Sequence, residues 1–316
     1  MSDPRDDFLA AMRAALGPDA ILPQRIEPGR WHRFSTNGRR SDTAGWCMLF
    51  PDMRTGVFGC YRAGVSDVWS ARGREAMTPS ERAELRLQVQ QAQAERTAEQ
   101  RQRWAINADR ISALWAECVP LVQGDPVGQY LKRRGIVGVW PLPPCLRLHR
   151  GMSYWHEGAP LGEFPAMVAP IVAPDGVVVA LHRTYLTRDG RKADVPTVKK
   201  LTGAAGPLAG AAIPLYAPEA GRLGIAEGIE TALAATCAAG VPTVAAYCAD
   251  NLARWRWPAA VRRLVVFADA DPAGIKAADE LVARAVRAGL QAQALAPSAP
   301  GTDWADVWAA AGECAT

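Results

Sequence analysis

The feature that most constrains the fold is the stretch from Arg222 to Ala296. Short apolar runs there alternate with helical segments. "RLGIA" leads into "IETALAATCAAG", "VPTVAAY" follows, "RLVVFADA" leads into "AGIKAADELVARAVRAG", and "LQAQALA" closes the series. Strands that are apolar at nearly every position are buried on both faces. Their alternation with helices calls for a parallel sheet covered on both sides by helices. In such sheets the ligand site lies beyond the carboxyl ends of the strands. Two of these strands deliver acids there: Glu227 ends the first, and Asp269 and Asp271 end the third.

Upstream the grammar differs. Residues 1–20 read as a short helix, and residues 31–73 as a small antiparallel β unit with Asn-Gly, Pro-Asp and Arg-Thr-Gly turns. "TPSERAEL" opens a long polar helix. Thr78 is its N-cap, Pro79 its first residue and Glu81 the closing half of a capping box. It runs to about Trp115, poor in apolar positions, as a solvated connector. "DPVGQYLKRRGI" reads as a short helix stopped by Gly135. "PAMVAPIVAPDGVVVALHRTYLTRDGRKA" reads as a β meander, followed by a small-residue loop. The expected architecture is therefore multidomain, α/β together with α+β: an N-terminal β unit (1–75), a helical connector (76–117), a mixed basic domain (118–217) and the parallel-sheet domain (218–316).

Clustered carboxylates in a cleft repel one another and stay ionised together only beside a cation. Glu227, Asp269 and Asp271 are hard oxygen donors with no His or Cys among them, a set that suits Mg²⁺ or Mn²⁺. Asp303 and Asp306 in "PGTDWADVW" follow the last strand and can reach the same rim. Such a site suits phosphoryl transfer. A lone Asp-x-Asp after a strand is also what a helix cap looks like. The weight comes from the order of the motifs.

That order carries a resemblance. "GIAEGIETALAA", "VVFADADPAGIKAA" and "GTDWADV" resemble the three acidic motifs of the Toprim domain in DNA primases of phages, plasmids and other mobile elements. The likeness spans roughly residues 218–310. It implies that Glu227 is a metal ligand or general acid/base and that Asp269 and Asp271 are metal ligands. Asp303 matches a later acid, and Asp306 matches less closely. Glu230 reads instead as a first-turn residue favoured by the helix dipole. Gly228 and Gly274 read as points of close backbone approach. "GDPVGQYLKRRGI" and "ALHRTYLTRDGRKADVPTVKKLTG" resemble the mixed domain that precedes Toprim in the same primases. His182, Arg183, Lys192, Lys199, Lys200, Lys132, Arg133 and Arg134 are the candidate contacts to nucleotide and template, with Lys199, Lys200 and Arg183 the preferred ones.

Residues 31–73 loosely resemble the zinc ribbon of such primases, but only His32, Cys47 and Cys60 stand near one another in sequence and none are paired. No zinc is expected. Trp31, Phe34, Trp46, Phe50, Phe58, Tyr61 and Trp69 are read as the core of this unit. Arg39, Arg40, Arg62 and Arg72 are read as candidate contacts to the template backbone. The seven cysteines include no CxxC pair, which fits free thiols in a reducing cytoplasm. No run of 18 apolar residues is present, so no membrane partner is expected. The absence of GxxxxGK[ST] excludes a fused P-loop helicase, so a helicase partner would be a separate chain.

The function implied is template-directed synthesis of short RNA primers on single-stranded DNA, from ribonucleoside triphosphates, with two divalent ions. Two other readings stay open: a metal-dependent Toprim nuclease, and a single-stranded DNA-binding replication accessory without catalysis.

Overall fold

A computed structural model describes residues 3–38, 42–60, 63, 65–71, 79–136 and 141–313. Thr78 and the Glu81 side chain lie outside the described residues, as do Arg39, Arg40, Tyr61, Arg62, Arg72 and Cys314. The chain divides into two compact units, residues 1–100 and 101–316.

The first unit begins with α1 (Pro4–Leu16), capped by Asp3, which accepts from the Arg5 amide at 2.9 Å. Four antiparallel strands follow in sequential order: β1 (His32–Phe34), β2 (Gly45–Leu49), β3 (Thr55–Cys60) and β4 (Val65–Ser70). Phe8 and Met12 of α1 pack on Phe34, Cys47, Leu49 and Phe58. Trp46, Phe50 and Val57 form a second cluster with Trp31. The aromatics described here serve the core. Cys47 is buried among them as a neutral thiol, its pKa pushed up to about 12 by burial. The long helix α2 (Pro79–Ala116) is mostly exposed along its length.

In the second unit the last turns of α2 are less solvated than a bare connector. Ile111 is buried, and Leu114 and Trp115 pack beside it. They lie under a five-stranded antiparallel sheet with the order β5 (Val119–Pro120), β6 (Arg147–His156), β7 (Ala159–Val172), β8 (Val178–Tyr185) and β9 (Lys199–Leu201). Successive residues of a strand face opposite ways, and the burial follows. Ala166, Val168, Leu181 and Tyr185 join the α2 side. Met167, Ala169, Ile171 and Ala180 join the other side. On that other side lies α3 (Pro126–Arg133). Asp125 caps its start, accepting from the Gly128 amide at 2.7 Å. Its end is a left-handed turn at Gly135 (φ 74°), with the Gly135 amide on the Lys132 carbonyl and the Ile136 amide on Leu131. A Cβ at Gly135 would stand 2.3 Å from the Ala309 Cβ, so only glycine lets this turn meet the C-terminal helix.

The parallel sheet is as the alternation requires. Its order is β11 (Thr243–Ala245), β10 (Arg222–Ala226), β12 (Arg263–Phe267), β13 (Gln291–Leu295), every pair parallel. Leu223, Ile225, Leu264 and Val266 face α5 (Ala249–Arg254) and α6 (Pro272–Arg287). Ala226, Val265 and Phe267 face α4 (Ile229–Ala239) and join the core of the antiparallel sheet. The two sheets of this unit thus share one apolar core. The helix α7 (Trp304–Glu313) closes the chain against α4, and the Trp304 ring meets Phe267 edge-on at 5.5 Å. Among the described residues no helix is long and apolar enough to cross a membrane.

Candidate active site at the carboxyl edge of the parallel sheet

Ala226 and Phe267 are register partners on adjacent strands. Glu227 and Asp269, one and two residues further on, therefore leave the sheet side by side although 42 positions separate them in sequence. Both are half-buried. Burial raises the Glu227 carboxyl above its ordinary range; Asp271 raises it further, against the pull of Lys199. Asp269 is pushed up to about 7, first by burial, then by the charges of Glu227, Asp303 and Asp271. Its Oδ1 is buried with no hydrogen-bond partner among the described residues. Gly274 makes this corner possible. A Cβ there would stand 2.8 Å from the Asp269 carbonyl oxygen, so glycine alone lets α6 start against the strand tip. Gly228 carries no such demand, since a Cβ there would meet nothing closer than Glu230 Oε2 at 3.4 Å.

The two outer acids do double duty. Asp271 is the N-cap of α6, accepting from the Gly274 amide at 2.7 Å, and is exposed. Asp303 and Asp306 form a reciprocal capping box at the start of α7: Asp303 Oδ1 accepts from the Asp306 amide at 2.8 Å, and Asp306 Oδ2 from the Asp303 amide at 3.2 Å. Arg134 then donates to Asp303 Oδ2 at 3.1 Å and lies 3.4 Å from Asp306. Asp306 is thus a capping and ion-pairing residue. Asp303 faces the rim with both oxygens already engaged.

The opposite wall of the cleft comes from the antiparallel sheet and α3. Lys192, Lys199 and His182 line it, with Tyr130 and Arg134 beside them. His182 is 6% exposed, and burial together with the Lys199 charge lowers its pKa to about 4, so it is a neutral imidazole; its Nδ1 has no partner among the described residues. Arg183 and Lys200, the preferred cations with Lys199, turn the other way. Arg183 donates to the Leu201 carbonyl at 2.6 Å and lies over the Tyr185 ring. The Lys200 ammonium sits 3.9 Å from the Tyr154 ring centroid and bonds the Trp155 carbonyl. Strand alternation separates each from its neighbour in sequence. Lys132 is exposed at the end of α3, and Arg133 donates to the Asp189 carbonyl at 3.2 Å; neither lines the cleft.

Glu230 lies in the first turn of α4, as read from the sequence, but it is also 4% exposed and inside the cleft, which that reading did not include. Tyr130 Oη donates to Oε1 at 2.6 Å and Lys199 Nζ to Oε2 at 3.0 Å. Burial alone would raise its carboxyl, but Lys199 and Tyr130 outweigh it and hold the pKa near 2.

The donor set fits a divalent ion. It is all carboxylate, one buried oxygen lacks a partner among the described residues, and burial together with mutual repulsion raises two of the acids. Among the described residues no three of His, Cys, Asp and Glu stand close enough to enclose an ion as they are, so the acids form an open rim rather than a closed cage.

A parallel four-stranded sheet with Glu at one strand tip and Asp-x-Asp at the next is the pattern of a Toprim domain, and residues 222–313 match the Toprim domain family. Residues 105–215 match a domain of unknown function, DUF7146. The chain is similar to DNA primase TraC of Escherichia coli, 27% identical over 254 residues, which make up 79% of this chain and 16% of that protein. It thus spans about a sixth of that protein. Among solved structures, the DnaG primase catalytic domain bound to ssDNA matches at 18% identity over 69% of this chain and 78% of that one, TM-score 0.41. The Aquifex aeolicus primase (zinc-binding and RNA polymerase domains) matches at 16% identity over 97% of this chain and 82% of that one, TM-score 0.37. The resemblance to the Toprim domain, read from the acidic motifs, is borne out, and the chain is similar to a DNA primase.

Proposed function

We propose that the chain is a DNA primase that makes short RNA primers on a single-stranded DNA template by nucleotidyl transfer, in the cytoplasm. The observation that carries the reading is the pairing of Glu227 and Asp269 at adjacent strand tips, facing Lys199 and Lys192 across one cleft. Glu227, Asp269 and Asp271 would hold two divalent ions, Mg²⁺ or Mn²⁺, with Asp303 beside them. Ions bound there would supply the positive charge that lowers the pKa of an attacking hydroxyl and stabilises a leaving pyrophosphate. The chain's own residues do the rest. Lys199 and Lys192 bind the triphosphate opposite the acids. Glu227, with its raised carboxyl, would take a proton from the primer 3′-hydroxyl. Arg134 holds α7, and with it Asp303, against α3.

Arg183, Lys200, Lys132 and Arg133 lie outside the cleft, so any part they take is in guiding template. The N-terminal β unit is assigned to choosing where synthesis starts. The domain limits that accompany this reading are 1–75, 76–117, 118–217 and 218–316. The test is purified protein with single-stranded DNA, labelled ribonucleotides and Mg²⁺ or Mn²⁺. Labelled oligonucleotides of primer length are the expected product. Degradation of the DNA would instead identify a nuclease, and binding without chemistry a replication accessory.

A further inference from the structure

We propose that Glu230 is a positioning residue, which fixes the Lys199 ammonium on the wall facing Glu227 and Asp269 and keeps it off the acidic rim. The inference rests on the reading of the cleft as a nucleotide site. Lysine is a point charge on a flexible four-carbon stem, so where its ammonium rests depends on the anions within reach. Lys199 has two destinations. Its charge is felt by Glu227 and Asp269 on the rim, and its Nζ lies 3.0 Å from Glu230 Oε2. Were it to swing to the rim, it would neutralise the acids itself and leave the phosphates of a nucleotide without it.

Glu230 prevents this because it is a fixed and fully ionised anchor. Its other oxygen is bound by Tyr130 Oη at 2.6 Å, and Tyr130 is buried, with burial and the Glu230 charge both favouring retention of its phenolic proton. Tyr130 can therefore only donate here, and it locks the carboxylate in one orientation. The anchor joins three elements distant in sequence: Tyr130 on α3, Lys199 on β9 and Glu230 on α4. Lys199 itself keeps 42% of its side chain exposed, so it is held but open to a ligand.

The experiment is a double-mutant cycle read by metal-free binding of inorganic triphosphate, which reports the cation wall without the ion site. Lys199→Ala is expected to weaken binding by about tenfold or more, as loss of a charge-assisted contact implies. Glu230→Gln is expected to weaken it about three- to tenfold in the wild-type background. In the Lys199→Ala background it should change binding by less than about twofold, because nothing is left to position. Glu230→Asp, which keeps the charge but shortens the arm, is the second variant should the Gln form not fold, and it should follow the same pattern. Circular dichroism and a melting curve establish folding for each. An undiminished effect of Glu230→Gln without Lys199 would assign Glu230 a structural role alone and overturn the proposal. Wild-type affinity in both Glu230 variants would do the same. Triphosphate binding by the wild type no tighter than by Lys199→Ala would instead remove the nucleotide reading on which it stands.

Discussion

Asp269 and Glu230 line the same cleft, 39 positions apart in sequence, and their chemistry runs in opposite directions. Glu230 is the more buried, yet its carboxyl is held near 2; Asp269 is less buried and is raised to about 7. Burial pushes both upward, so their neighbours decide the outcome. Glu230 has an ammonium and a phenol on its two oxygens. Asp269 has three other carboxylates around it and an oxygen with no donor. A satisfied acid holds the fold together, and a frustrated acid waits for something positive. The cleft is built by setting the two kinds against each other.

The sharpest way to break the contrast is Asp269→Asn. It removes a charge from a site that suffers from charge, so two outcomes should separate. Primer synthesis should fall by at least about a thousandfold if Asp269 holds an ion as proposed. Thermal stability without divalent ions should rise at pH 8, because the repulsion among Glu227, Asp271 and Asp303 is relieved. Retained synthesis in this variant would remove Asp269 from the ion site.

Metal and pH sharpen the same point. A carboxyl raised in the folded state contributes stability that is present below its unfolded value of 3.8 and is lost as pH rises through about 7. The metal-free protein should therefore lose this contribution across that window. Mg²⁺ or Mn²⁺ should restore it, with a larger rise in melting temperature at pH 8 than at pH 6, since below 7 the ion must displace a proton. Equal shifts at the two pH values would contradict the assignment. Glu230 should behave in the reverse sense. Its depressed carboxyl contributes stability present above its unfolded value of 4.5 and lost as pH falls toward about 2. Acid unfolding of wild type and Glu230→Gln should converge there. At pH 7 the substitution should cost about 2 kcal/mol. That is less than the ~3–5 of a fully buried broken pair, because Lys199 keeps contact with water.

The frustrated acids were legible in the sequence and the satisfied one was not, for a physical reason. Glu227 and Asp269 announce themselves locally: an apolar strand ends, an acid follows, and parallel topology brings strand tips together. Glu230 sits in the first turn of a helix, where an acid needs no partner to be explained. Its partners lie 100 and 31 positions away in segments whose packing no local pattern encodes. Asp271 was legible as a rim acid and as a cap, and it caps α6; Asp303 was read as a rim acid alone, and its capping of α7 appears only in the structure. The long strand β6 carries a mixed burial pattern and passed unread.

The last contrast is between adjacent lysines. Lys199 and Lys200 are equal in sequence, but period two in β9 sends one into the cleft and the other toward Tyr154. Strand alternation in "ALHRTY" makes Arg183 and Thr184 face opposite ways, and their register partners Lys200 and Lys199 follow them. Lys200→Ala should leave the KM for nucleotide unchanged within about twofold and cost about 0.5–1 kcal/mol of stability, the worth of one exposed cation–π contact. Lys199→Ala should raise that KM about tenfold with little loss of stability beyond that of Glu230→Gln. Because the two variants remove the same charge from neighbouring positions, net charge and long-range attraction to DNA change equally in both. A difference in KM between them therefore reports the cleft alone, and equal effects would mean that the lysines act through bulk charge and that the two faces of the sheet are not distinguished by the substrate.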